Sequence, residues 1–223
     1  MIVPRVLSFD LDDTLWPVEP VIEAAERVLF GWIVERYPRA AADHTIESMR
    51  AMREDVAARH PDRGHDFTYL RKKALAEQFC AAGYDESAAE LAFDVFYAER
   101  NRVRVYPDVR ASLERLANSY PLFALSNGNA DLRLCGIADY FAGHVTARGV
   151  GVAKPDKRIF ETLAERAGVA AAEVLHIGDD PRADVEGARR AGLQAVWINR
   201  EDREWPEDLE RPPRTVSSLL EIL

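Results

Sequence analysis

Three short apolar runs constrain this chain most, because each stops abruptly at a polar cluster. Residues 6–9 (Val-Leu-Ser-Phe) run into Asp10-Leu11-Asp12-Asp13-Thr14. Residues 121–125 run into Ser126-Asn127-Gly128, and residues 173–177 into Gly178-Asp179-Asp180. Short apolar runs bounded by turn residues read as buried strands. Strands that are apolar on both faces belong to parallel sheets covered by helices, and such sheets place their chemistry beyond the carboxyl ends of the strands. Asp10 and Asp12 stand two residues apart, so in an extended segment they point the same way. Carboxylates aimed at one small volume repel unless a cation or a proton sits between them, which points to a metal site. Taken alone, the same residues also suit a strand end with an Asp-rich turn and a helix cap.

Between the first run and the second the pattern turns helical. Val21, Ile22, Ala25, Val28, Leu29, Trp32 and Ile33 recur at three- and four-residue intervals, the stripe of an amphipathic helix, which Pro38 ends. Further helices are expected over 45–60, over 68–82 with Gly83 as its stop, and over 86–101. From Tyr106 onward β and α alternate again. Asp108 is placed to cap a helix ending near Ser119, and a short helix is expected near 132–135. A brief strand follows at 145–146, then helices over 156–166 and 184–191 and a strand over 194–198. Residues 200–214 are charged and proline-rich, a surface excursion, and 215–223 read as a short final helix. The fold class is α/β: a doubly wound parallel-sheet, Rossmann-like core from residues 1–17 and 105–223. An all-helical domain, residues 18–104, is inserted into it.

A chain of 223 residues suits one large domain or a domain with an insertion. Its formal net charge of −9 gives no electrostatic footprint for nucleic acid or an anionic membrane. An anionic ligand would need a local metal or lysine to overcome that field. Cys80 and Cys135 are expected to be reduced core residues, too few for a thiolate zinc site. The first apolar run is too short for a signal peptide, and no stretch approaches the uncharged length of a membrane span. The expected setting is the cytoplasm, with a small molecule as partner and the chain a monomer or homodimer.

Polar groups at four points of the α/β alternation can meet at one sheet edge. These are Asp10, Asp12 and Thr14; Ser126 and Asn127; Lys154 before the helix over 156–166; and Asp179, Asp180 and Asp184. Each has a plain alternative: Ser126-Asn127-Gly128 as a turn, Lys154 as a solvated lysine, Asp179 and Asp180 as acids favouring a helix N-terminus. Together they suit phosphoryl transfer. Asp10, Asp179 and Asp184 with a backbone carbonyl offer the hard oxygens that Mg²⁺ takes. Asp10 can attack phosphorus, and Asp12 can protonate the leaving oxygen and then deprotonate water. Lys154, Ser126 and backbone amides near Asn127 can hold the phosphoryl oxygens, with Thr14 beside them.

On these motifs the chain resembles the haloacid dehalogenase-like hydrolase superfamily, and in it the phosphatases with a helical cap after the first strand. Asp10-Leu-Asp12-Asp13-Thr14 matches DxDxT, Ser126 and Asn127 match the second motif, and Lys154 matches the third. Gly178-Asp179-Asp180-Pro-Arg-Ala-Asp184 matches GDxxxxD. The resemblance implies Asp10 as nucleophile, Asp12 as general acid and base, and Lys154 as a catalytic and phosphate-binding group. It implies Mg²⁺ held by Asp10, the Asp12 carbonyl and Asp179, with Asp184 supporting the metal through water or through Lys154. The acid at Asp12 favours a phosphatase over a dehalogenase, because an oxygen leaving group needs a proton and a halide does not. Ser126-Asn-Gly-Asn-Ala130, residues 136–141, 175–180 and 192–198 resemble the branch acting on flavin mononucleotide and the ribitylamino-uracil phosphate of riboflavin biosynthesis. A sugar-phosphate mutase and a non-enzymatic phosphate-binding protein share the motif set or the fold and stand as alternatives.

In this architecture a cap closes over the phosphate site and touches the leaving group. Trp16 and Glu19 near the hinge, and His65, Thr68, Tyr69 and Arg71, are the candidates for that contact. An aromatic can stack on a ring, and an arginine can bind a carbonyl or a second phosphate. Tyr69 as core and Arg71 as a solvated face is the plain alternative.

Overall fold

The computed structural model describes residues 2–211 and 214–222. Strand β1 (Val6–Phe9) is followed at once by five helices. They are α1 (Val18–Arg36), α2 (Pro38–Ala41), α3 (Ile46–Arg59), α4 (Phe67–Ala81) and α5 (Ser87–Arg100). The backbone divides into two compact units, one of Met1–Pro17 with Arg104–Leu223, the other Val18–Val103. Within the helical unit α1 buries Val21, Ala25, Leu29 and Ile33, one residue per turn. Ala25, Leu29 and Ile33 meet Phe79, Phe93 and Phe96 in a core of their own. Pro38 stands at the first turn of α2, where its missing N–H costs nothing. The Thr45 hydroxyl caps α3 by accepting from the Ser48 N–H at 3.2 Å, and Asp66 caps α4 through the Tyr69 N–H at 2.9 Å.

The other unit continues with α6 (Val109–Ala117), β2 (Leu122–Ser126), β3 (Gly143–Thr146), α7 (Ala147–Val150) and α8 (Lys157–Ala167). Then come β4 (Val174–Gly178), α9 (Gly187–Arg190), β5 (Gln194–Ile198) and β6 (Thr215–Val216). The six strands form one parallel sheet in the order β3-β2-β1-β4-β5-β6. All four residues of β1 and all five of β2 are buried, as expected of central strands covered on both faces. Phe160 and Leu163 of α8 pack with Phe123, Val174 and Trp197 over the sheet. The strand order reverses at β1 and β4, and at such a switch point the loops part to leave a crevice beyond the carboxyl ends.

Several local expectations are corrected. The stretch expected as a final helix forms β6 and then one 3₁₀ turn, Leu219–Glu221; Leu223 lies outside the described residues. Strand pairing wins there because the Trp197 N–H reaches the Arg214 carbonyl and the Asn199 N–H the Val216 carbonyl, at 3.1 and 2.7 Å. Residues 132–135 are a tight turn held by Asp131, whose carboxylate accepts from the Arg133 and Leu134 N–H groups. Asp108 makes no side-chain cap to α6. Its carboxylate instead binds Arg200, the Ser218 hydroxyl and the Leu219 N–H, the last two at 2.8 and 2.7 Å. The expected helix over 184–191 is a π turn, Pro181–Glu186, leading into the short α9. Neither cysteine forms a disulfide among the described residues, and Cys80 is exposed rather than in a core.

Candidate active site

The site begins where β1 runs out. The Asp10 N–H donates to the Ile177 carbonyl at 2.9 Å, so the pairing with β4 reaches Asp10 itself. The chain then turns sharply: the Leu15 N–H meets the Leu11 carbonyl at 2.8 Å and the Asp13 N–H the Trp16 carbonyl at 2.7 Å. Asp13 takes a left-handed conformation, φ +59°, which a short polar side chain tolerates better than most. The Trp16 indole N–H closes the loop by donating to Asp12 Oδ1 at 2.9 Å.

Lys154 is buried at the centre of the cluster. Its Nζ donates to Asp10 Oδ1 at 2.5 Å, to Asp184 Oδ1 at 2.6 Å and to the Leu125 carbonyl at 3.0 Å. Asn127 fixes the lysine backbone: its Oδ1 accepts from the Lys154 N–H at 2.7 Å, and its Nδ2 donates to the Lys154 carbonyl at 3.0 Å. Ser126 Oγ accepts from the Gly128 N–H at 2.9 Å, shaping the turn after β2. Asp184 reaches in over Gly178, where a Cβ would stand 2.2 Å from Asp184 Cγ; only glycine fits that approach. The second oxygen of Asp184 accepts from the Asp180 N–H at 3.0 Å. Asp179 accepts from Thr14 Oγ1 at 3.3 Å and from Arg203 at 3.0 Å, and its carbonyl accepts from the Trp197 indole at 2.8 Å.

Carboxylate oxygens of Asp10, Asp179 and Asp184 lie within 4.8 Å of one another. Burial, reinforced by Asp184 and Asp179, pushes the Asp10 carboxyl well up against the pull of Lys154. Burial and the Asp184 charge push Asp179 up to about 6. Burial opposes the charged Asp184 too, but Lys154 and His176 outweigh it and hold this carboxyl well below the usual range. Burial likewise opposes the Lys154 ammonium, and the charges of Asp10 and Asp184 override it and raise its pKa. Two of the three carboxylates share Lys154 and the third meets Arg203, and their hard oxygens suit a small dication that would relieve the repulsion.

The structure thus brings together Asp10, Asp12, Thr14, Ser126, Asn127, Lys154, Asp179 and Asp184, with two changes of contact. The Thr14 hydroxyl, expected at phosphate, turns to Asp179, because the tight loop after Asp12 delivers it there. At Asn127, where backbone amides are expected at phosphate, the side chain holds the backbone of Lys154. Trp16, expected to face a substrate, is fully buried because its indole serves Asp12. Glu19 is exposed in the first turn of α1. Tyr69 packs edge-on to His60 with the Arg63 guanidinium over its ring. Arg71 lies over Phe96 and, with Arg50 and Arg53, surrounds the buried Glu26 carboxylate, so it is neither solvated nor free. Sequence reasoning missed Arg200 and Arg203. The charged excursion sends Arg200 to the Thr14 carbonyl and Asp108, and Arg203 to Asp179. It also missed Ser8 and His176, which hydrogen-bond at 2.5 Å behind Asp184. A serine and a histidine inside apolar strands were the available signal.

The chain is 36% identical over 200 residues to the 5-amino-6-(5-phospho-D-ribitylamino)uracil phosphatase YigB of Escherichia coli, covering 88% of this chain and 84% of that one. It is 40% identical over 148 residues to a phosphoserine phosphatase of Thermus thermophilus, 64% of this chain and 57% of the relative. A solved 2-haloacid dehalogenase of Pseudomonas syringae superposes with a TM-score of 0.92 at 35% identity, covering 99% and 96% of the two chains. Residues 4–192 match the haloacid dehalogenase-like hydrolase family. With its motif residues gathered at the ends of β1, β2 and β4, the chain belongs to that family.

Proposed function

We propose that this hydrolase is a Mg²⁺-dependent phosphatase that cleaves small phosphate monoesters through an aspartyl-phosphate on Asp10. The observation that carries the reading is a pair of acids on one loop: Asp10, gripped by Lys154, and Asp12, gripped by Trp16. Asp10 attacks phosphorus and the ester oxygen leaves with a proton from Asp12. Asp12 then takes a proton from the water that attacks the phospho-aspartate, releasing phosphate and restoring both acids. Lys154 aims Asp10 and supplies positive charge in a buried setting, where it counts most. Asp10, Asp179 and the Asp12 carbonyl would hold Mg²⁺, with Asp184 behind them. The ion, when bound, offsets the charge of carboxylates and phosphate.

The likeness to a solved 2-haloacid dehalogenase raises a second reading. A halide leaves without a proton, so Asp12 would have no task in that reaction; the acid, and the likeness to named phosphatases, favour the ester. Among esters, the ribitylamino-uracil phosphate ranks first, on the relative that spans most of both chains, with flavin mononucleotide beside it on the resemblance of residues 126–130, 136–141, 175–180 and 192–198 alone. The acidic chain disfavours nucleic acid and anionic membranes as partners, and among the described residues no helix is long and apolar enough to cross a membrane. The test is a phosphate-release screen over these esters, phosphoserine and small sugar phosphates, with Mg²⁺ or with chelator, beside halide release from 2-chloropropionate. Phosphate release that needs Mg²⁺ and vanishes in Asp10→Asn is expected. Full activity of Asp10→Asn, or halide release without phosphate release, would overturn the reading. Interconversion of sugar phosphates without net release would favour the mutase.

A further inference from the structure

Ser8 and His176 are fully buried and stand opposite each other in register on β1 and β4. Register partners present their side chains on the same face of a sheet. Alternation puts Asp10 on that face with Ser8, and Gly178 with His176. Asp184 lies over Gly178. A continuous line of contacts results. Ser8 Oγ meets His176 Nδ1 at 2.5 Å, His176 Nε2 meets Asp184 Oδ1 at 3.1 Å, and the same oxygen takes the Lys154 Nζ that also holds Asp10. Phe160 packs edge-on against the imidazole, with ring centres 5.5 Å apart.

The hydrogen inventory fixes the direction of these bonds. Asp184 holds the Lys154 ammonium as an ion pair, so its oxygens accept and Nε2 must carry a hydrogen. The Ser8 hydroxyl has Nδ1 as its one hydrogen-bond partner among the described residues. Were Nδ1 protonated, the Ser8 hydrogen would be buried with no acceptor, a cost of about 1–3 kcal/mol. With Nδ1 bare, every donor and acceptor in the line is satisfied.

We propose that His176 is a positioning residue for the reaction: it steers Asp184 from Nε2, and Ser8 locks the ring in the tautomer that allows this. Asp184 accepts from Lys154, His176 and the Asp180 N–H at once, so three directions fix it. Through it the line sets where Lys154 holds Asp10 and where the turn bearing Asp179 begins. The inference rests on the phosphatase reading for its kinetic consequence, but the tautomer does not depend on that reading.

The closing experiment uses the full chain with Mg²⁺. Nitrogen-15 spectra, assigned through His176→Gln, should show an unprotonated Nδ1 and a protonated Nε2. In Ser8→Ala, Nε2 should keep its hydrogen, because Asp184 still accepts it, while Nδ1, left without its donor, should shift in nitrogen-15 resonance. On a phosphate ester, His176→Phe should lower kcat about 10–100-fold, the range for residues that orient metal-site ligands, with KM little changed. His176→Gln, which restores a donor near Nε2, should recover part of that loss. Ser8→Ala should lower kcat by a smaller factor, and the double variant should lose no more than His176→Phe alone. A protonated Nδ1 in the parent protein overturns the proposal, whether or not His176→Phe folds. Losses that multiply in the double variant overturn it as well. A parent protein that releases no phosphate refutes the phosphatase reading instead, and leaves the tautomer to decide this one.

Discussion

Gly178→Ala tests the geometry of the site through one methyl group. The added Cβ would stand 2.2 Å from Asp184 Cγ and 2.4 Å from its Oδ2, against an ordinary contact of 3.4 Å. Asp184 must therefore retreat about 1.2 Å, or β4 must bend by as much. Asp184 now receives Lys154 at 2.6 Å, the Asp180 N–H at 3.0 Å and His176 at 3.1 Å. Since these three hold Asp184 from different directions, a retreat of that size cannot keep them all; directed away from Lys154 it stretches that contact to about 3.8 Å, beyond hydrogen-bonding range. Lys154 then keeps one of its two carboxylate partners, and Asp10 loses its fixed aim. Misplacement by about 1 Å costs on the order of 10²-fold in rate. Overpacking costs about 1–3 kcal/mol of stability, or roughly 2–4 °C in Tm per kcal/mol for a chain of this size. Steady-state phosphate release, a Mg²⁺ titration and a melting curve read all three consequences. A folded Gly178→Ala protein with the parent kcat and Mg²⁺ requirement would refute the claim that Asp184 must lie against the strand end.

Three further outcomes are expected. Asp12→Asn should fold and still bind Mg²⁺, yet lose about 10²–10⁴-fold in kcat, the usual worth of a general acid and base; phosphate release beside isothermal titration of the metal separates the two. Burial opposes the Asp108 charge, but Ser218, the Leu219 N–H and Arg200 hold this carboxyl below its ordinary value. Its contribution is therefore present above about pH 4 and fades as pH falls through the depressed value. The Tm deficit of Asp108→Asn should accordingly be full at pH 7 and shrink in acid. Glu26→Gln removes the carboxylate among Arg50, Arg53 and Arg71, leaving three guanidinium groups to repel. A loss of about 2 kcal/mol is expected, less than for a fully buried pair because Arg50 and Arg53 reach solvent. Melting at low and high salt checks it, with the smaller loss at high salt.

What could be read from the sequence, and what could not, follows from how far each signal reaches along the chain. Asp10, Asp12 and Asp179 were legible because buried parallel strands are apolar runs, and polar residues at the ends of such runs have few structural reasons to be there; Lys154 and Asp184, which end no strand, were legible only through the motifs they complete. The helices over 18–36 and 46–59 were legible because their apolar positions repeat over several turns. β6 was not: a two-residue strand has no period, and its pairing with β5 is a long-range fact. Asp108 precedes α6 as a cap should, yet spends its carboxylate on Arg200 and Ser218, more than 90 residues away. Trp16 looked like a ring for a substrate because nothing local reveals that the loop curls its indole back onto Asp12.

Ser8 and His176 show the limit most clearly, and the reason is physical. Each sits alone in an apolar strand, where a single polar residue reads as a tolerated exception. They gain meaning only as a pair, and the pairing is a consequence of register between strands 168 residues apart. A polar residue in a central strand must find a partner inside the protein or forfeit its hydrogen bonds. For Ser8 the register supplies one neighbour that can accept, and for His176 the close approach permitted by Gly178 supplies the other. The demand for satisfaction that keeps other cores apolar here fixes a proton on one particular nitrogen. The sheet thus does more than support the loops that carry the acids: its interior sets the direction of the hydrogen bond on which Asp184, and through it Lys154, depends.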